Sequence, residues 1–236
     1  MPKNIKAILD STYSIRQEMT QPDVPSRIIP LIEDLINNSL DDVCGLQLRW
    51  AFVRAVDMLY SEGIAFTIGA IDFRNLSGLN SYFEHSSPGS GAHEQANKVL
   101  REITEEAITY YARKHSGEAY RIGGDEFSVI FPEMSADEAE PILESMQKKA
   151  DEIVKKYGLE NEPHPKHDYL PTGAGGIDCG CADTVHCLNR EAILNEADYY
   201  LFISKELFLQ DIVSRQPNPE LWIWDKTNKH YQRKNM

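Results

Sequence analysis

The chain has 236 residues, of which 42% are apolar, 26% charged and 9% aromatic, the composition of a packed globular protein and not of a disordered one. Its 37 acidic side chains against 24 basic ones leave a formal net charge of −13, which removes any general attraction for DNA, RNA or an anionic membrane. A phosphorylated substrate must therefore be captured by a local device, such as a bound metal or a set of backbone N–H groups.

The amino terminus, MPKNIKAILDSTYSIRQ, lacks the apolar core of a secretory signal. After the Pro-punctuated QPDVPSR, residues Ile28, Ile29, Leu31, Ile32, Leu35 and Ile36 recur at helical spacing. Residues 1–40 are accordingly read as a helical lead and 41–236 as one further unit. A second helical pattern runs from about Leu48 to Tyr60 through Phe52, Val53, Val56 and Leu59, and Gly63 ends it. The run IAFTIGAID, Ile64 to Asp72, is apolar almost throughout and predicts a strand covered on both faces. It falls far short of the roughly 20 apolar residues that span a bilayer, so a cytoplasmic protein with no membrane insertion is expected.

The stretch from Asn80 to Ala92 contains SSPGSG and reads as a mobile loop. Glu94 to Lys114 has helical periodicity through Val99, Leu100, Ile103, Ala107, Ile108 and Tyr111. A short strand, Glu118 to Ile122, a GGDE turn and the strand FSVIF, closed by Pro132, predict a hairpin with two carboxylates at its tip. Ser135 opens a helix to about Tyr157, with Asp137 and Glu138 placed to suit the helix dipole. A polar loop with His164 and His167 leads to a strand-like segment around Leu170 to Asp178. A last helix spans about Arg190 to Phe208, and Trp222 and Trp224 alternate near the end like strand residues. The order is that of an α/β (α+β) fold.

The sharpest chemical feature is the tip Arg121-Ile122-Gly123-Gly124-Asp125-Glu126-Phe127. Two glycines allow a tight turn and the close approach of a bulky ligand. Two consecutive acids there repel each other unless a cation stands nearby. Asp72 ends the apolar strand, and acids at a strand end and on a neighbouring hairpin can converge on one hard cation. Mg²⁺, completed by water and substrate phosphate, is the expected ion.

Gly123 to Phe127 resembles the signature of the GGDEF domains, the diguanylate cyclase family, and four further segments resemble that family in the same order. Asp41-Asp42-Val43-Cys44-Gly45-Leu46-Gln47-Leu48-Arg49 is similar to its opening D-x-L-T-G-L-x-N-R segment. Asp72 and Asn80 have the spacing of its first metal aspartate and its guanine-binding asparagine. Ala92 to Leu100 resembles G-H-x-x-G-D-x-x-L, and Ala197 to Lys205 resembles A-D-x-A-L-Y-x-A-K. The resemblance implies a palm-like sheet that joins two GTP molecules into cyclic di-GMP, one nucleotide per subunit across a homodimer. It implies that Asp72, Asp125 and the Phe73 carbonyl ligate Mg²⁺ or Mn²⁺, and that Glu126 either activates the attacking hydroxyl or joins the metal. Asn80 and Asn97 then face the base, Lys205 and the backbone after Asp72 face the triphosphate, and Gly123 and Gly124 admit the nucleotide.

The departures are as informative. Arg74 replaces the family's second acid, Ser77 its lysine, Asn97 the aspartate that pairs with guanine, and Leu209 an arginine on the last helix; an R-x-x-D segment is missing from Ala112 to Glu118. With Leu209 apolar, a phosphate contact has to come from Arg74 or Arg215. An amide at Asn97 fits adenine about as well as guanine, so relaxed selectivity, with ATP as a second substrate and cyclic GMP-AMP as a product, is an expectation. A second reading is a degenerate domain that binds nucleotide and signals without catalysis. Of the cysteines, Cys179, Cys181 and Cys187 with His186 have an uncommon spacing for zinc and are read as plain thiols.

Overall fold

The structure, a computed structural model, describes residues 40–86, 91–167, 169–187 and 189–234. The expected lead helix with Ile28 to Ile36 lies outside those residues, as does the middle of SSPGSG, 87–90. At the centre runs β2 (Phe66–Phe73), buried at every residue except the half-buried Asp72. So apolar a strand needs partners on both edges and cover on both faces. The edges are taken by β4 (Glu126–Pro132) and β5 (Ile177–Asp183), both antiparallel to it. The predicted hairpin pairs β3 (Glu118–Arg121) with β4, and the short β1 (Gln47–Leu48) lies parallel to β3. The result is a five-stranded mixed sheet in the order β1-β3-β4-β2-β5.

Alternate residues of β2 face two different cores. Ile71 and Phe73, with Phe127, Val129 and Ile177, pack beneath α2 (Leu76–Ser86), α3 (Ala92–Ile103) and α5 (Ala136–Lys156). The rod begun by α3 continues through a π-helical turn, Thr104–Thr109, into α4 (Tyr110–Lys114) on the same face. Phe66, Ile68 and Ala70, with Tyr120 and Ile130, pack against α1 (Arg49–Ser61) and the start of α6 (Arg190–Ser214). Asp72 continues that second row, because side chains two apart share a face.

Local chemistry sets the helix starts. The Ser135 N–H donates to the Glu138 carboxylate at 2.9 Å at the head of α5, and the Ala192 N–H donates to Asn189 Oδ1 at 3.0 Å at the head of α6. Helix α6 then crosses β5 in direct backbone contact at Gly180, where an added Cβ would lie 2.0 Å from the Leu201 nitrogen. That contact brings Lys205, one turn further on, over the end of β2.

Three expectations are corrected. Residues 80–86 are helical and not loop: α2 hides behind the weak formers Ser77, Gly78, Asn80 and Ser81, but it buries Leu79 and Phe83, and Asn75 Oδ1 accepts the Gly78 N–H at 3.0 Å at its head. The strand expected from Leu170 starts at Ile177, because Gly173 and Gly175 adopt φ of 75° and 95° and break any extension before it. The last helix runs on to Ser214, past Phe208, and supports a hairpin of β6 (Trp222–Asp225) and β7 (His230–Arg233) over a small core of Leu170, Leu209, Val213 and Tyr231. Among the described residues no helix is long and apolar enough to cross a membrane.

Candidate active site

The register of the sheet assembles the site. Asp72 stands directly opposite Glu126 on β4 and Asp178 on β5, and residues directly opposite share a face. Asp125, at the hairpin tip, accepts the Phe73 N–H on its carbonyl at 2.8 Å, which ties the tip to the end of β2. Burial pushes the Asp72 acid above its ordinary value; Lys205 pulls it back, and the charges of Asp125 and Asp178 push it further up. Lys205 Nζ lies 2.9 Å from Asp72 Oδ2.

The hairpin tip is held from behind. Arg121 donates from Nε to the Gly123 carbonyl at 3.1 Å, from one terminal nitrogen to the Gly124 carbonyl at 2.6 Å, and from the other to Asp41 Oδ2 at 2.6 Å. Asp41 in turn accepts the Val43 and Cys44 N–H groups at 3.1 and 2.6 Å. Burial opposes its ionisation, but the Cys44 N–H and the Arg121 guanidinium outweigh burial and hold the carboxyl below its usual range. The first acid of the opening segment therefore orients the GGDE turn through Arg121.

In front of these acids lies a pocket of about 750 Å³ whose lining includes Asp72, Phe73, Arg74, Asn80, Asp125 and Lys205. The Phe73 ring is buried in the core, so only its backbone can meet a ligand. Gly123, Gly124, Glu126 and Asn97 are not part of the lining. Gly124 and Glu126 are exposed at the tip, and Asn97 is exposed on α3. Of the two cations expected to replace the missing arginine, Arg215 is not in the lining, and Arg74 is in it with its donors already engaged. Arg215 pairs with Asp211 on the outer part of α6. Arg74 donates to Asp178 at 3.0 Å, to Asp151 at 3.3 Å and to the Ile177 carbonyl at 2.6 Å, and lies 4.0 Å over the Phe208 ring. Gly176 leaves the space for it, since a Cβ there would lie 2.8 Å from a guanidinium nitrogen. Of the backbone N–H groups after Asp72, those of Phe73 and Arg74 bond Asp125 and Gly176 and those of Gly78 and Leu79 bond Asn75, which leaves, in the first turn of α2, those of Leu76 and Ser77, both in the pocket lining, as the part of the expected cradle left over.

Sequence reasoning passed over several lining residues. Asp178 is a lone acid inside the small and apolar GIDCGCA, and that contrast was its signal. Burial pushes its pKa up even with Arg74 beside it. Asn75, at φ 50°, donates to the Pro163 and Gly173 carbonyls at 3.2 and 3.3 Å and so staples the pocket floor to the following loop. His164, His167, Trp224 and Lys229 also line the pocket, and their spacing in the sequence gives no hint of it.

The donor set fits a hard divalent cation. Among the described residues no three Asp, Glu, His or Cys side chains converge as an all-protein metal site. Mg²⁺, however, is ordinarily held by one or two carboxylates with substrate phosphate and water, and Asp72 and Asp125 both line the pocket. The cysteines serve packing here. Cys179 and Cys181 lie on the α5 side, and burial pushes Cys181 up to about 11. Cys187 lies in the other core and donates to Glu196 at 2.7 Å.

Residues 59–206 match the GGDEF domain family, described as diguanylate cyclase, GGDEF domain. Diguanylate cyclase DgcN of Escherichia coli K12 is 24% identical over 173 residues, which is 73% of this chain and 38% of that protein, so the chain spans well under half the length of that relative. The coiled coil and GGDEF domain of DgcB from Caulobacter crescentus, in complex with c-di-GMP, superposes with a TM-score of 0.56 at 20% identity, covering 86% of this chain and 95% of that one. Diguanylate cyclase SiaD of Pseudomonas aeruginosa, in complex with its activator SiaC, gives 0.53 at 18% identity, covering 87% and 74%. At these identities the structural likeness is one of fold.

Proposed function

The chain belongs to the GGDEF domain family, and from that premise and the pocket geometry we propose that it is a nucleotidyltransferase that condenses two GTP into cyclic di-GMP with release of pyrophosphate. The observation that supports the reading is that Asp72 and Asp125 both line the pocket, with the Asp125 backbone tied to the end of β2 by the bond from the Phe73 N–H to its carbonyl. Asp72, Asp125 and the Phe73 carbonyl would hold Mg²⁺ or Mn²⁺. That ion supplies neutralisation of phosphate charge and polarisation of the α-phosphorus toward a 3′-hydroxyl.

The remaining roles belong to the chain itself. Lys205 neutralises Asp72 and would turn to a phosphate oxygen only once Asp72 is otherwise engaged. The Leu76 and Ser77 N–H groups at the start of α2 would favour the same anion. Glu126, opposite Asp72 in the sheet register and exposed, would either take the proton of the attacking hydroxyl or join the metal. Since one pocket holds one nucleotide, the 3′-hydroxyl comes from a second subunit, and a homodimer is the working unit. Asn80 offers a donor and an acceptor to either purine. Asn97 is an amide, exposed and outside the pocket lining, so it brings no carboxylate to guanine, which supports use of ATP beside GTP.

The test is mass spectrometry of what the full chain makes from the four ribonucleoside triphosphates with Mg²⁺ or Mn²⁺. The reading expects a cyclic dinucleotide and pyrophosphate from wild type, and neither from Asp125→Ala. Strict use of GTP from a GTP and ATP mixture would remove the relaxed selectivity alone. A second reading, a nucleotide-binding signalling domain without catalysis, draws on Arg74: its guanidinium is taken up by the fold and is not offered to phosphate. Tight GTP binding with no product from the dimer would establish it.

A further inference from the structure

The pocket has a wall beyond the family match. Residues 59–206 carry that match, whereas Phe208, Leu209, Trp224 and Lys229 line the pocket from later in the chain. Leu209 is the pivot. It is buried with Leu170, Val213 and Tyr231, with Trp222 and Trp224 packed on that cluster, so the last turns of α6 carry the β6–β7 hairpin. The Tyr231 N–H donates to His167 Nδ1 at 3.2 Å and ties the hairpin to the loop beside the pocket. Asp225 closes the hairpin turn by accepting the Thr227 and Asn228 N–H groups at 2.9 and 3.2 Å. Lys229 ends the turn at φ 51°, and its ammonium stands 4.7 Å over the Phe202 ring. Phe202 is three residues before Lys205 on α6, and residues so spaced are neighbours on a helix surface, about 5–6 Å apart at Cβ.

Of the four Lys and Arg side chains that line the pocket, Arg74, Lys166, Lys205 and Lys229, two stand in salt bridges. Arg74 is committed to Asp178 and Asp151, and Lys205 to Asp72. Lys166, on the short turn Pro165–His167, and Lys229 have no ion-pair partner among the described residues, and of the two it is Lys229 whose ammonium is held over the face of a ring on α6. An ammonium on an aromatic face keeps its remaining donors for an anion.

We propose that Lys229 binds the polyphosphate of the nucleotide in this pocket, and that the C-terminal hairpin is the arm that delivers it. The proposal rests on the nucleotide reading of the pocket given above. It explains how an apolar residue at Leu209 is compatible with phosphate capture: Leu209 anchors the element that carries the cation.

Equilibrium binding of 3′-deoxy-GTP, which has no attacking hydroxyl, and of GMP tests it on the full chain with Mg²⁺. Asn tolerates the left-handed backbone, so Lys229→Asn removes charge without strain. Loss of a charge-assisted contact predicts about ten-fold weaker 3′-deoxy-GTP binding for Lys229→Asn, with GMP changed by less than about two-fold. Lys229→Arg should bind both like wild type, with all three proteins unfolding at the same temperature. Unchanged 3′-deoxy-GTP affinity in Lys229→Asn, or equal loss for both nucleotides, overturns this proposal and leaves the cyclase reading standing. A folded wild type that binds neither nucleotide overturns both.

Discussion

Arg74 occupies the position of a family acid, and its geometry predicts that it holds the fold and does not bind substrate. The perturbation is Arg74→Ala. The side chains of Arg74 and Asp178 are 12% and 5% exposed, and they meet at 3.0 Å. Removing one partner of a buried pair costs about 3–5 kcal/mol, because the other charge is left without compensation. Asp151, 45% exposed, adds little; the stacking on Phe208 adds about 0.5–1 kcal/mol. A loss of about 4 kcal/mol at neutral pH follows. The pH dependence has a definite sign. Asp178 already has a folded pKa above its unfolded value, and losing Arg74 raises it further. Its penalty is therefore absent at pH below the unfolded value of 3.8 and grows as pH rises toward the folded value. Urea unfolding of wild type and Arg74→Ala should differ less at pH 5 than at pH 7.5. Adding Asp178→Asn removes the stranded charge, so the double variant should recover about 2 kcal/mol and bind GTP within about three-fold of wild type. A single-variant cost below about 1 kcal/mol, or a double variant that folds but binds GTP more than about ten-fold more weakly, would refute the reasoning.

Three other outcomes follow from the same geometry. Burial, with the neighbouring charges of His164, Lys166 and His230, lowers His167 to about 4, so the unfolded chain takes up a proton that the folded one refuses between about 6.5 and about 4. Stability should fall as pH drops through that window, by at most about 3 kcal/mol, and His167→Asn, which keeps an acceptor for the Tyr231 N–H, should flatten the slope measured by thermal unfolding. Gly180→Ala would force a Cβ to within 2.0 Å of the Leu201 nitrogen, and since backbone cannot step aside it should cost at least about 3 kcal/mol, read as loss of the cooperative unfolding transition. Arg121→Lys keeps the charge but loses the fork on Gly123, Gly124 and Asp41, and should lower kcat more than it raises KM for GTP, with Asp41→Asn giving a loss that is not additive with it.

The central strand could be read in the chain because IAFTIGAID is apolar almost throughout and so has to be covered on both faces. The hairpin tip was equally legible, since Gly-Gly between β-rich runs specifies a turn. Helix α2 was not legible, because its stability comes from burying Leu79 and Phe83 and from the Asn75 cap and not from its own weak helix formers. The start of β5 was obscured because Gly180 and the cysteines are there to admit α6 and α5, so the strand lacks the bulky alternation by which strands are recognised. At the pocket, Asp72, Asn80, Asp125 and Lys205 were named from the sequence and do line it, and those that arrive from distant segments, Asp178, Trp224 and Lys229, were not named as lining it. Arg74 shows the limit most clearly. Its type suggested phosphate binding, and only the carboxylates gathered around it from β5 and α5 give it another employment.

The shared ion is the premise to be measured first. Electron paramagnetic resonance of Mn²⁺, titrated into the full chain with 3′-deoxy-GTP, counts bound ions without turnover. The account predicts bound Mn²⁺ in wild type, a loss of at least about ten-fold in affinity for Asp72→Asn and for Asp125→Asn, and no further loss when the two are combined, as for two ligands of one site. Wild-type affinity in both single variants, or losses that simply add, would contradict it.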